Sequence, residues 1–132
     1  MNIQHAKGSF EVKLAPQPVS EVAASANLGR LSIDKQFSGD LEATSRGEML
    51  SAMGNAEGSA GYVALERVTG TLHGRSGSFV LQHNGTLNRG VQGLTIHVVP
   101  DSGTDQLVSL SGTMKIIIED GKHAYAFDYS LG

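Results

Sequence analysis

Short runs in which apolar and polar residues alternate recur along the whole chain, and glycine-rich segments separate them. One face of the run at 31–37 carries Leu31, Ile33, Lys35 and Phe37, while polar residues occupy the other face. Successive side chains of a strand point to opposite faces, so this period of two predicts β-strands with a buried face. The predicted strands cover residues 8–14, 31–37, 41–52, 60–73, 78–84, 91–99, 114–118 and 124–129.

The connections between these runs are short and carry turn residues. Asp120-Gly121 favours the positive φ angles of a tight hairpin, and Asn84-Gly85 is a turn signal of the same kind. Short helical turns are predicted at 19–25 and at 104–110, the second capped by Thr104. Consecutive strands without βα alternation predict an all-β fold. Apolar residues on both faces of several strands favour an eight-stranded antiparallel closed barrel, and a two-sheet sandwich fits the same pattern.

Composition narrows the possible functions. A chain of 132 residues, of which 39% are hydrophobic, is expected to form one domain over residues 1–132. The net charge is −3 and the ten basic residues are scattered, which argues against a nucleic-acid partner. Without cysteine the chain has no disulfides and no thiolate chemistry. No apolar run is long enough for a signal peptide or a membrane helix, so a cytoplasmic location without a membrane partner is expected.

Several stretches together resemble a bacterial family of unknown function whose members are small barrels similar to plant allene oxide cyclase. They are FSGDLE at 37–42, GYVALERVTG at 61–70, GRSGSF at 74–79, QHNGT at 82–86, VVPDSGT at 98–104 and DGKHAY at 120–125. The resemblance covers nearly the whole chain. It implies an eight-stranded, allene-oxide-cyclase-like (dirigent-like) barrel whose relatives bind hydrophobic small molecules in the lumen, in some cases guiding cyclisation, and form homo-oligomers.

Glu42 and Glu66 are the candidate catalytic residues because each lies inside a predicted strand. A carboxylate in the lumen with a raised pKa could act as a general acid or base. The alternative is that Glu66 points outward, or pairs with Arg67 of a neighbouring subunit or with Arg46. Both readings depend on which face of the strand is inside.

His83, His97, Gln82 and Tyr125 are the candidate ligand-binding residues. The strands of the two histidines are expected to be close together, and with Glu66 they could form an acid–base pair. No two histidines have the spacing of a metal-binding motif, so no metal and no cofactor are expected. Tyr125 shares a strand face with other aromatic residues, an arrangement more typical of packed core than of a pocket.

Three hypotheses for function follow. The first is binding of a small hydrophobic or amphipathic metabolite in the lumen. The second is a cofactor-independent isomerase or cyclase that uses a lumenal carboxylate. The third is a structural homo-oligomeric module whose lumen is filled by side chains. Apolar residues on both strand faces also predict self-association through the outer surface.

Overall fold

The computed structural model describes residues 2–132, which form eight strands and two short helical segments. The strands are β1 (Gln4–Pro16), β2 (Gly29–Gly39), β3 (Leu41–Met53), β4 (Ala60–Leu72), β5 (Arg75–Asn88), β6 (Val91–Val98), β7 (Leu110–Glu119) and β8 (Lys122–Leu131). Helix α1 (Glu21–Ser25) joins β1 to β2, and a 3₁₀ turn (Asp105–Leu107) lies between β6 and β7. Neither helical segment of the described chain is long and apolar enough to cross a membrane.

Every strand pairs antiparallel with the next along the chain, and β8 pairs with β1 to close the ring. The closing ladder runs from Gln4↔Tyr129 to Phe10↔His123. The predicted eight-stranded antiparallel closed barrel is therefore confirmed, and the sandwich alternative is wrong. Burial alternates along the strands, as in β2, β4 and β5, because one face of each strand turns into the closed ring.

Turn and capping residues predicted most of the connections between the strands. Asp120 and Gly121 have φ angles of 51° and 75°, as the hairpin prediction requires. Helix α1 lies within the predicted helical turn at 19–25, and the Ser20 side chain caps it. The side chain of Thr104 does not cap the 3₁₀ turn; instead, its hydroxyl accepts a hydrogen bond from the Ser78 backbone at 3.0 Å.

The prediction of a turn at Asn84-Gly85 is wrong, because both residues lie inside β5. Gly85 pairs with Tyr62 of β4, and the Tyr62 ring lies against its backbone. A Cβ atom placed on Gly85 would lie 2.2 Å from the ring atom Cε1. The glycine thus makes room for an aromatic ring on the neighbouring strand and does not reverse the chain.

The two ends of the barrel differ in packing. At one end, here called the closed end, the buried side chains Phe37, Leu41, Leu72 and Phe79 fill the lumen. Leu107 from the 3₁₀ turn is also buried against this core. The opposite end, here called the mouth, is where the β3–β4, β5–β6 and β7–β8 hairpins lie. The inward positions near the mouth carry smaller or half-buried residues, so this half is less tightly filled.

Candidate functional site

A fully buried carboxylate occupies the middle of the lumen. Glu66 faces inward from β4 and is 1% exposed. The Ser45 hydroxyl of β3 donates to its Oε1 at 2.7 Å, and Lys35 Nζ of β2 donates to its Oε2 at 2.8 Å. His83 Nε2 of β5 lies 2.5 Å from the same Oε2. These four residues, Lys35, Ser45, Glu66 and His83, are called the lumenal cluster below.

Lys35 is held between the carboxylate and the apolar core. It is 6% exposed, and its Nζ lies 5.0 Å from the centre of the Phe10 ring and 5.7 Å from that of Phe37. The faces of these rings attract a cation, which partly replaces the water that the ammonium group loses on burial. Lys35 therefore brings a positive charge to within hydrogen-bonding distance of Glu66 in the interior.

The surroundings of Glu66 keep it ionised. Burial by itself raises the pKa of its carboxyl group, but the hydrogen bond from His83 and the charge of Lys35 outweigh burial and lower the pKa to about 2. The raised pKa that a general acid at this position would need is therefore absent, because His83 and Lys35 both favour the ionised form. A carboxyl group with this pKa is ionised at neutral pH, so it has no proton to donate as a general acid and is only a weak general base.

The ionised carboxylate also fixes the orientation of His83. A carboxylate only accepts hydrogen bonds, so Nε2 of His83 carries the proton in this contact. The other ring nitrogen, Nδ1, has no hydrogen-bond partner in residues 2–132. Every fully buried side-chain nitrogen or oxygen in that part of the chain has a hydrogen-bond partner. Because Nδ1 has none, it is not fully buried, and a water molecule can reach it. His83 can thus offer a lone pair to a ligand while Glu66 holds the ring.

The structure brings together only part of the predicted site. Glu66 and His83 meet in the lumen, whereas Glu42 is exposed and its Oε1 accepts a hydrogen bond from the Gly39 backbone at 2.9 Å. Gln82 and His97 form a cross-strand pair on the outer surface, where both are exposed. The expected lumenal placement is therefore wrong for Glu42 and His97, because neighbours along a strand face opposite sides.

Tyr125 lies inside the barrel but at the closed end. Its hydroxyl donates to the Ser38 carbonyl at 3.0 Å and accepts from the Leu41 backbone at 2.9 Å. These contacts place it in the packed core and tie β8 to the β2–β3 turn.

Sequence reasoning missed Lys35 and Ser45 as members of the site. The available signal was a lysine on the otherwise apolar face of the run at 31–37.

A cavity of about 170 Å³ lies in the mouth half of the lumen. Along β4 the inward residues are Tyr62, Ala64 and Glu66 in order from the mouth, so the cavity lies on the mouth side of the lumenal cluster. Burial raises the pKa of Tyr62, and the negative charge of Glu66 adds to that shift. The lining residues are Met49, Ser51, Ala60, Gly61, Tyr62, Thr86, Leu87, Gln92, Gly93 and Leu94.

Two other features of the described chain bear on the choice of site. A larger depression of about 670 Å³ lies on the outer face over Leu50, Val63 and Leu65, on the opposite side of the strands from the lumenal cluster. Within residues 2–132 no three His, Asp or Glu side chains converge as a metal site would require. The lumen is therefore the place where buried charge and internal space occur together.

Acidification is expected to destabilise the fold through Glu66. Its folded-state pKa of about 2 lies below the ordinary value of 4.5, so the stabilisation is complete above pH 4.5 and is lost as the pH falls towards 2. The difference corresponds to about 3 kcal/mol of unfolding free energy. Urea unfolding at a series of pH values measures this loss.

The matched variants are Glu66→Gln and Glu42→Gln. Glu66→Gln should remove most of the acid dependence and destabilise the barrel by about 3–5 kcal/mol, because Lys35 remains buried without its counter-charge. Glu42→Gln replaces an exposed carboxylate and should change the stability by less than about 1 kcal/mol. An unchanged acid dependence in Glu66→Gln would rule out Glu66 as its source.

Comparison with known proteins agrees with the barrel. Residues 6–129 match the family model described as "Protein of unknown function (DUF3224)". A crystal structure of a DUF3224 protein of unknown function from Shewanella oneidensis MR-1 is 49% identical, with a TM-score of 0.92, over 99% of this chain and 98% of that chain. Among curated proteins none matches. The similarity to allene oxide cyclase stays a prediction, whereas the bacterial family is confirmed: the chain belongs to the DUF3224 family.

Proposed function

We propose that the barrel binds a small, mostly apolar molecule with one polar group in the mouth half of its lumen. The observation that carries the proposal is the contrast between the two halves. Large side chains fill the closed end, whereas the mouth half keeps a cavity next to a buried charged cluster. Concave, mostly apolar spaces with a few polar groups are the usual form of a ligand site.

The cavity has room for about one ring. Its volume of about 170 Å³ is several times the roughly 30 Å³ that a water molecule occupies in the liquid. An engineered apolar cavity of about 150 Å³ holds one benzene molecule. Ser51, Tyr62 and Gln92 supply polar atoms to the lining, and in residues 2–132 none of these three side chains hydrogen-bonds to another residue.

The cost of the lumenal cluster supports a role beyond stability. Removing an ion pair from water costs several kcal/mol per ion. A protein in which apolar residues of similar volume replace a buried ion pair is often equally stable or more stable. Lys35 and Glu66 are both almost fully buried, so this barrel bears that cost. A ligand whose polar group reaches past Tyr62 to His83 Nδ1 would give the cluster a use that an apolar core would not provide.

Binding can be tested with fluorobenzene and 4-fluorophenol, which are single-ring probes without and with a hydroxyl group. Fluorine NMR should show both probes bound, with 4-fluorophenol the tighter, and each should raise the unfolding free energy as its concentration rises. The Ser51→Phe variant, which fills the cavity, should lose binding. Leu65→Gln, in the outer depression, is the control and should retain it.

Two outcomes would contradict lumenal binding. One is the absence of binding by either probe up to its solubility limit. The other is binding that survives Ser51→Phe and disappears in Leu65→Gln, which would place the ligand in the outer depression. Equal affinity of the two probes would remove the proposed role of the polar group.

Proton transfer is a second candidate function, because the Glu66–His83 contact has the form of an acid–base dyad. Its chemistry differs from the lumenal-carboxylate mechanism expected from the sequence. Glu66 stays ionised, so His83 Nδ1 would take the proton and Glu66 would stabilise the resulting imidazolium. Return of that proton to another atom of the same molecule would complete an isomerisation without a cofactor.

Deuterium incorporation distinguishes turnover from binding alone. Phenylacetone incubated with the protein in deuterated buffer should gain deuterium next to its carbonyl faster than in buffer alone, if His83 abstracts protons. His83→Gln should abolish the gain, and His97→Gln, an exposed histidine, should leave it unchanged. Phenylacetone that binds and is recovered with only the background level of deuterium would exclude this candidate.

Self-association through the outer face of β3 and β4 is a further part of the proposal. Leu50 pairs across the strands with Val63, and these residues and Leu65 are 43%, 55% and 53% exposed. Next to them Arg46 lies directly opposite Arg67, and within residues 2–132 neither arginine forms a salt bridge. A second copy related by a two-fold axis would cover the apolar patch and could supply carboxylates to these arginines.

Light scattering over a concentration series tests this association. The wild-type chain should be a dimer or larger at micromolar concentration, and Leu65→Lys should be a monomer because it places a charge in the patch. Leu14→Lys, at an equally exposed leucine on β1, is the control and should remain associated. A monomeric wild-type chain would contradict the proposal, and an associated Leu65→Lys would place the interface elsewhere.

A further inference from the structure

The ring of strands is weakest between β6 and β7. These two strands are registered at a single pair, His97↔Thr113. Every other neighbouring pair of strands is registered over seven positions or more. Beyond the single pair, residues 91–96 of β6 and 114–119 of β7 run towards the mouth without a ladder between them. These two segments together are called the seam below.

The seam is fixed at one end only. At the closed end, the connection from β6 to β7 is held by a hydrogen bond from the Thr104 backbone to the Ser78 carbonyl at 2.9 Å and by the buried side chain of Leu107. At the mouth end, the β5–β6 and β7–β8 hairpins are separate connections. The two strands are therefore held together near His97 and are free to part towards the mouth.

Apolar side chains line the seam from the surface to the cavity. Leu94 of β6 and Ile116 of β7 are half-buried, and Ile118 is 58% exposed at the outer end. Nearer the single pair, the inward residues Ile96 and Met114 are only 2% and 4% exposed, so exposure along the seam rises towards the mouth. Leu94 also lines the mouth cavity, so the seam leads directly to it.

We infer that the seam between β6 and β7 is the lateral entrance through which a flat, mostly apolar molecule reaches the lumen. The inference rests on the proposed function, since it supplies a route to the same cavity. Parting any other pair of strands would break several ladder hydrogen bonds, whereas the seam has almost none to break. Regions with few such bonds open at the lowest free energy, so exchange of a ligand should use this route.

A disulfide across the seam tests the route. The chain has no cysteine, so Thr95→Cys with Lys115→Cys introduces the only two thiols, at exposed positions two residues beyond the single pair. Thr44→Cys with Thr69→Cys, an exposed registered pair on β3 and β4, is the matched control. Mass spectrometry confirms the disulfide in each variant, and a reductant reverses it.

Fluorine NMR exchange measurements with 4-fluorophenol then give the rates of entry and exit. The disulfide should slow both rates by about tenfold or more and leave the Kd unchanged, because an entrance affects the path and not the bound state. Reduction should restore the rates, and the control disulfide should not change them. Equal rates in the oxidised and reduced seam variant would overturn the entrance while leaving binding in the lumen intact.

Hydrogen exchange of the wild-type chain provides a test that needs no ligand. The backbone amides of 91–96 and 114–119 that face the seam should exchange much faster than the amides between β3 and β4. Protection of the seam equal to that of β3–β4 would overturn the entrance. If 4-fluorophenol does not bind the wild-type chain, the proposed function fails, and hydrogen exchange alone decides whether the seam opens.

Discussion

Donors from three different strands converge on the Glu66 carboxylate, and the arrangement of the lumen depends on that contact. Lys35 on β2, Ser45 on β3 and His83 on β5 each reach across to β4. One carboxylate therefore ties four consecutive strands together in the interior. The arrangement is stable only while Glu66 is ionised, which the charge of Lys35 and the hydrogen bond from His83 ensure by holding its pKa at about 2.

The barrel differs on the two sides of this contact, both along its axis and around the ring. Along the axis, an aromatic and aliphatic core fills the closed end, and the mouth half contains the cavity. Burial of that core offsets the free-energy cost of burying the charges. Around the ring, the contact holds β2, β3, β4 and β5 together, and the seam between β6 and β7 lies in the other half of the ring. A rigid wall with fixed polar groups thus faces a wall that can part, which suits a site that must be both ordered and accessible.

The alternation of residues and the turn chemistry predicted the strands and the barrel because both are local properties of the chain. The contact between Glu66 and His83 was predictable for the same reason, because their strands are neighbours along the chain. The inward face of β6 was not predictable because both of its faces carry apolar residues, which explains the error at His97. The error at Glu42 was avoidable, because Thr44, Arg46 and Glu48 share its face and make that face polar. The turn predicted at Asn84-Gly85 is wrong because packing of the Tyr62 ring from the neighbouring strand, and not the local sequence, decides the role of Gly85.

The lumen is organised around an ionised Glu66, and carbon NMR of its side-chain carboxyl group during an acid titration follows that ionisation. The Glu66 signal should stay at its ionised position as the pH falls below 4.5 and move only near a pH of about 2. A signal that titrates at or above 4.5 would show instead that Lys35 and His83 do not hold the charge around which the lumen is organised.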